Sequence, residues 1–374
     1  MKNRTIRIIG VFLAIVLLIS SFAGCKKEDD YDVGEITSAN SEENTTESTD
    51  IPENVNPLTG VADLSEEAIG SRPIAIMVEN SPSARPQWGI TTPDIVIEGV
   101  AEGGITRMMW VYADVEKIPN KVGPIRSARH DFVELAKGMN AIFVHVGGSD
   151  GSRVNLTLAY QTIKNLGVNN IDGNKWFGQY FERDKTRTTA IEHRAITKKD
   201  YIKSAITKLG YTTEQTVDNW EPFDVLVNDQ SVSWGDSSLK GSCSEISVTF
   251  SSGYVHTFKY NTTDKKYYNY LNNKIMTDGN NGKEMAVENV IALYVPVSIL
   301  STKEGHREWN FEVTNGEGFY VSNGIGQKVY WSKAGKDAPL KVMSANGVEL
   351  KVSSGQTWIG IVPEANRELT RVVE

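Results

Sequence analysis

The sequence predicts an α/β amino-terminal domain over 59–217, followed by a mainly antiparallel β domain over 218–374. Two observations predict this. From Arg72 to Leu209, short apolar runs alternate with segments whose apolar residues recur at helical spacing, the pattern of a sheet covered by helices. Beyond Trp220, apolar and polar residues alternate one by one between Asn, Gly and Asp punctuation, as in strands with one solvated face. The change of texture places the boundary near Asn219-Trp220, and no repeat period is visible.

The elements follow in order. Pro73-Ile-Ala-Ile-Met-Val78, Asp94-Ile-Val-Ile-Glu-Gly-Val100, Met108-Met-Trp-Val-Tyr112 and Ala141-Ile-Phe-Val-His-Val146 are apolar runs bounded by polar turns, which predicts buried strands. Phe132, Leu135, Ala136 and Met139 carry helical spacing, and Pro124 marks a helix start whose first turns are Arg126 to His130. Asn155 to Leu166 reads as a second helix. Thr197 is placed to cap a third that runs to about Leu209, before Gly210. In the second half, strands are expected at 246–250, 254–260, 266–271, 287–297, 311–313, 328–331 and 358–362.

Lys2, Arg4 and Arg7 precede an apolar run from Ile8 to Phe22, shorter than the roughly 20 residues a membrane helix needs. It ends in Phe22-Ala23-Gly24-Cys25, small residues before a cysteine, as in a lipoprotein signal. The expectation is a signal peptide at 1–24 and a lipid on Cys25, which would hold the chain on the extracytoplasmic face of a membrane. Residues 26–58 contain ten acidic residues and two lysines and are rich in Ser, Thr and Asn, the composition of a disordered spacer. This spacer holds most of the negative charge, and 59–374 is left at about −3. No basic block occurs, so nucleic acid is not an expected partner. With Cys25 acylated, Cys243 has no partner, and a chain of this length can bury a core without disulfides.

Four polar features carry the candidate chemistry. Arg126, Ser127 and Arg129 in Gly123-Pro-Ile-Arg-Ser-Ala-Arg129 combine fork-shaped donors with a helix start, which suits a carboxylate or phosphate; pairing with Glu98 or Glu102 is the alternative. Glu98 and Glu102, with Arg107 nearby, could form an acid/base pair or an ion-pair network. His145 lies in an apolar strand and reads first as a hydrogen-bonded core residue. It runs into Gly147-Gly-Ser-Asp-Gly-Ser152, a Gly-rich loop without the lysine of a phosphate loop. The histidines lack zinc-site spacing, no nucleophile motif is present, and neither a metal nor a cofactor is expected.

Arg72-Pro73, Val78-Glu-Asn80, Arg85-Pro-Gln-Trp-Gly89, Asp94-Ile-Val-Ile-Glu98, Glu102-Gly-Gly-Ile-Thr-Arg107, Gly123-Pro-Ile-Arg-Ser-Ala-Arg129, His145-Val-Gly-Gly-Ser149 and, near the end, Gly355-Gln-Thr-Trp-Ile359 follow one another in a set order. Together they resemble the YerB-like lipoproteins over about 70–374. The resemblance implies a Gram-positive membrane lipoprotein with two domains of unknown function. The family's Pro-His-Asn element near 183–201 is replaced here by AIEHRAITKKDYI. The leading expectation is a binding or regulatory module that takes an anionic or sugar-bearing envelope component, with Asn80, Glu98, Glu102, Arg107, Arg126, Ser127, Arg129 and His145 as ligand-binding candidates. The alternatives are a wall-acting hydrolase or transferase using Glu98 and Glu102 with the arginines, and a cell-surface protein scaffold.

Overall fold

The strand β1 (Ile74–Glu79) is buried along its whole length, and its residues divide between two cores. Ile74, Ile76 and Val78 enter one, while Ala75 and Met77 enter the other. β2 (Ile95–Val100) and β3 (Thr106–Tyr112) divide in the same way, with Trp110 and Tyr112 on the first side and Met109 and Val111 on the second. A sheet covered on both faces needs apolar residues at every position, which is why these strands read as continuous runs. Each fully buried large side chain contributes about 1.5–3 kcal/mol. The computed structural model describes residues 51–232, 240–312 and 316–374. Cys25, the signal segment and most of the acidic spacer lie outside them.

Layers account for the two cores. On one face lie α1 (His130–Gly138), with Phe132, Val133, Leu135 and Ala136 buried, and α2 (Ala159–Leu166), with Ala159 and Ile163 buried. On the other lie the helix Lys199–Leu209, through Ile202, Ala205 and Ile206, and a second, antiparallel sheet. That second sheet presents Ile246, Val248, Phe250 and Phe258 from the strands Glu245–Ser251 and Tyr254–Asn261. The amino-terminal half is therefore α/β with a mixed sheet, and the carboxy-terminal half is mainly antiparallel β.

The expectation of two separate domains meeting near Asn219-Trp220 does not hold in the main sheet. β2 pairs in parallel with the strand Thr357–Pro363, which in turn pairs in parallel with Asn289–Val295. The sheet continues through Gly316–Ser322 and Ile325–Lys333 on one side, and through β3, β1, β4 (Ile142–His145) and β5 (Asn170–Asp172) on the other. One sheet thus crosses the boundary, and the described residues fall in one compact unit. Pairing between strands so distant along the chain leaves no trace in local texture.

Three local expectations also shift. Residues 124–128 do not begin a helix, because their backbone is taken by the sheet. Glu79 N–H donates to Pro124 O, Arg126 N–H to Met77 O, Val146 N–H to Arg126 O and Ala128 N–H to Gly147 O. This segment wedges between the diverging ends of β1 and β4, and α1 starts only at His130, with Arg129 as its N-cap residue. Lys198, in place of Thr197, is the N-cap residue of the third helix, since the Thr197 hydroxyl donates to Tyr180 O. Residues 311–312 form a turn rather than the expected strand; position 313 lies outside the described residues. One glycine matters to the site. A Cβ at Gly99 would lie 2.2 Å from the Trp309 ring, so only glycine lets that ring pack on β2.

Candidate functional site

β1, β2, β4 and β5 run in the same direction, so their ends at Glu79, Val100, His145 and Asp172 reach one edge of the sheet. Ligands of open α/β sheets bind at this edge. Here the wedge 124–129 lies across it. The candidate residues separate into three groups.

The first group is a buried network. Glu98 is fully buried between the two sheets and accepts hydrogen bonds from Asn80 Nδ2 (2.9 Å), Thr106 Oγ1 (2.6 Å) and Trp358 Nε1 (3.2 Å), with His256 Nε2 at 2.9 Å. Burial alone would raise its carboxyl, but the His256 charge and these hydrogen bonds hold it below its ordinary value. Asn80 Oδ1 in turn accepts from Gln87 Nε2 at 2.9 Å. His145 is fully buried as well, with Nδ1 2.7 Å from Gly147 O and Nε2 3.1 Å from Asn170 Oδ1. Burial pushes its pKa down. Asn80, Glu98 and His145 hold the fold and face no open cleft.

The second group is an ion-pair cluster. Arg129 grips Glu102 at two points, Nε to Oε2 at 2.8 Å and Nη2 to Oε1 at 2.6 Å. Arg107 adds Nη2 to Oε1 at 2.8 Å and gives its other arm to Ser127 O at 2.8 Å. Burial would raise the Glu102 carboxyl, but the two guanidiniums hold it far below the usual carboxylate range. Burial and the neighbouring Arg129 charge lower Arg107 to about 9 against the pull of Glu102. Arg129 and Arg107 are therefore committed to an internal partner, and Glu102 is no free acid or base. Ser127 contributes its carbonyl to this cluster and lies too far upstream to cap α1.

The third group is more open and holds Arg126. Its side chain is 28% exposed, against 11% for Arg129. The buried Glu79 at the end of β1 takes the Ser81 hydroxyl at 2.9 Å and His193 Nδ1 at 2.9 Å from both oxygens, while Arg126 Nε lies 3.5 Å away. Two further arginines gather here. Arg183 stacks on Phe177 at 4.1 Å and gives one N–H to Ile191 O, and its pKa is lowered by burial and then by the charges of Arg194 and Arg126. Nε of Arg126 and Nε of Arg194 have no hydrogen-bond acceptor. Arg183 thus faces the charges of Arg194 and Arg126, with Glu79 and Glu192 as the carboxylates nearby. Two of the three guanidiniums keep an Nε donor without a hydrogen-bond acceptor, an arrangement that suits an anion. Arg187 does not share this role, since it stacks on Trp88 and donates to Ala84 O and Pro86 O.

Of the expected residues, only Arg126 belongs to this open cluster. Glu79, Arg183, His193 and Arg194 were not singled out by sequence reasoning. The signal available was the charged run Glu192-His193-Arg194, in the stretch that replaces the family's Pro-His-Asn element. Its partner Glu79 lies 114 residues earlier, so only the fold shows that they meet. Among the described residues, no group of three or more His, Cys, Asp or Glu side chains could hold a metal.

Known proteins resemble this chain over nearly all of the folded part. Residues 58–212 match the family model described as "Protein of unknown function (DUF3048) N-terminal domain", and residues 246–359 match its C-terminal domain. The chain is 31% identical over 312 residues to the protein named "Putative lipoprotein YerB" of Bacillus subtilis (strain 168), across 82% of this chain and 86% of that one. The crystal structure of YerB protein from Bacillus subtilis matches it with a TM-score of 0.69 at 27% identity, covering 85% of this chain and 99% of that chain.

Proposed function

Because the chain belongs to the YerB-like family whose halves are the two DUF3048 domains, we propose that it is a lipoprotein tethered through Cys25 on the extracytoplasmic face of the membrane, where it binds an anionic or sugar-bearing envelope component. The relative's name and the Phe22-Ala-Gly-Cys25 sequence support the tether. No helix among the described residues is long and apolar enough to cross a membrane. Cys25→Ser should therefore release the folded chain from the membrane or block its processing. Membrane fractionation decides this: retention and processing like wild type would contradict the lipid tether.

One observation carries the binding reading. Arg126 and Arg194 keep unused Nε donors beside Arg183, at the strand edge where such folds bind ligands. A phosphate or carboxylate is the group that meets this need. Losing one hydrogen bond to a charged ligand group removes about 1.5–3 kcal/mol. Arg126→Ala should therefore weaken the binding of inorganic phosphate to a soluble 26–374 chain by roughly 10- to 100-fold. The melting temperature should move by only a few degrees, because partly exposed ion pairs add about 0–1 kcal/mol. Calorimetric titration checks the first and a thermal melt the second. Unchanged phosphate affinity in the variant would count against the site.

The enzyme reading built on Glu98 and Glu102 has lost its two carboxylates to internal partners. A hydrolase or transferase would rest instead on His193. Glu79 orients its Nδ1, and its Nε2 has no partner among the described residues. His193→Gln separates the two readings: phosphate still binds in a binding module, whereas an enzyme loses turnover.

A further inference from the structure

A cavity of about 750 Å³ lies beside the first turns of α1, with no arginine in its lining, and its size is that of a small-molecule site. His130, Asp131 and Glu134 of α1 line it, with Glu308 and Trp309 of the strand Arg307–Trp309 and with Lys333. His130 is 3% exposed, and neither of its ring nitrogens has a hydrogen-bond partner. The neighbouring Asp131 has Oδ1 3.5 Å from Nε2 but already accepts the Trp309 backbone N–H at 2.7 Å, and burial pushes its carboxyl well above the usual range. An unmet buried polar group costs about 1–3 kcal/mol, and native proteins rarely leave one without a reason.

The charges of the cavity decide what could meet it. Lys333 Nζ donates to the carbonyls of Gly335 and Lys336, and Lys336 Nζ lies 3.3 Å from Glu134. Lys336 is thus paired with a carboxylate and also feels Glu308 and Glu312, while Lys333, held by backbone carbonyls, keeps its charge near Glu134 and Asp337. An anionic ligand would meet the carboxyl groups of Asp131, Glu134, Glu308 and Glu312, which outnumber the two lysines that line the cavity. Burial pushes His130 down to about 4, helped by the charges of Lys336, His306 and Arg129, so at neutral pH the ring offers one donor and one acceptor. A polyhydroxylated ligand can meet both, one hydroxyl donating to the acceptor nitrogen and another accepting from the donor nitrogen. Glu308 can accept from further hydroxyls.

We propose that this cavity is a second binding site, for an uncharged, polyhydroxylated ligand such as a sugar unit, with His130 as its central hydrogen-bonding residue. The test uses the soluble 26–374 chain, its His130→Leu, Glu308→Gln and Arg126→Ala variants, and two neutral probes, the tetramers of N-acetylglucosamine and of glucose. Titration should show saturable binding of at least one tetramer, unchanged in Arg126→Ala and weakened at least tenfold in His130→Leu and in Glu308→Gln. His130→Leu removes an unmet polar group and should melt at or above the wild-type temperature. If that variant does not fold, Glu308→Gln alone decides. The proposal is overturned if neither tetramer binds wild type, if the cavity variants bind as wild type does, or if inorganic phosphate displaces the bound tetramer and does so equally in Arg126→Ala.

Discussion

Replacing His256 by leucine should destabilise the protein by roughly 3–5 kcal/mol, on the order of 10 °C in melting temperature. The variant leaves the Glu98 carboxylate fully buried without the imidazole that faces it at 2.9 Å. The hydrogen bonds from Asn80, Thr106 and Trp358 remain, but the buried carboxylate loses its 2.9 Å contact with His256 Nε2 and gains no replacement. Removing Glu98 as well, in Glu98→Leu with His256→Leu, should recover only part of the loss. It takes away the unpaired charge but leaves Asn80, Thr106 and Trp358 without their acceptor. Glu98 belongs to β2 and His256 to the strand Tyr254–Asn261, so the network ties the two halves of the chain together. The loss should appear in a single unfolding transition followed by circular dichroism and by tryptophan fluorescence. Two separated transitions, with only the carboxy-terminal half affected, would contradict the shared core.

The second large effect belongs to Glu102. Glu102→Gln leaves the Arg107 and Arg129 guanidiniums facing each other with no carboxylate between them, and Arg107 is buried. Breaking a buried pair on one side costs about 3–5 kcal/mol, and this side chain, about a quarter exposed, should fall near the lower end. The pH dependence fixes the assignment. The folded state holds the Glu102 carboxyl below its unfolded value of about 4.3, so the ion pair adds stability above that pH and loses it as the pH falls further. The gap between wild type and Glu102→Gln should thus be constant from about pH 5 to 8 and narrow below about pH 4. Urea unfolding across that range measures it. A gap that widens in acid would place the stabilising charge elsewhere.

The parts of this fold that were legible in the sequence are those with local causes. Ile74 to Val78, Ile95 to Val100 and Met108 to Tyr112 are buried on both faces, so they show as continuous apolar runs. Phe132, Leu135 and Ala136 line the inner face of α1 and show as helical spacing. The start of α1 was not legible, because the wedge 124–128 is held by hydrogen bonds to β1 and β4 that no local pattern encodes. The shared sheet was hidden for the same reason, since β2 finds its partner near the end of the chain. At the site, pairing of an arginine with Glu102 was an open alternative in the sequence, but which arginine takes it was not legible. Arg126 and Arg129 look alike in sequence, yet the extended wedge turns Arg129 onto Glu102 and Arg126 toward Glu79. His193 reaches Glu79 only through the fold.

The site's location is tested most directly by soaking crystals of the 26–374 chain in selenate, a phosphate-like anion with a strong anomalous signal. The account predicts an anomalous peak within hydrogen-bond distance of Arg126 Nε and Arg194 Nε, near Arg183, and its loss in crystals of Arg126→Ala. A peak at Arg129 and Glu102, or no peak near Arg126 in well-ordered wild-type crystals, would contradict it.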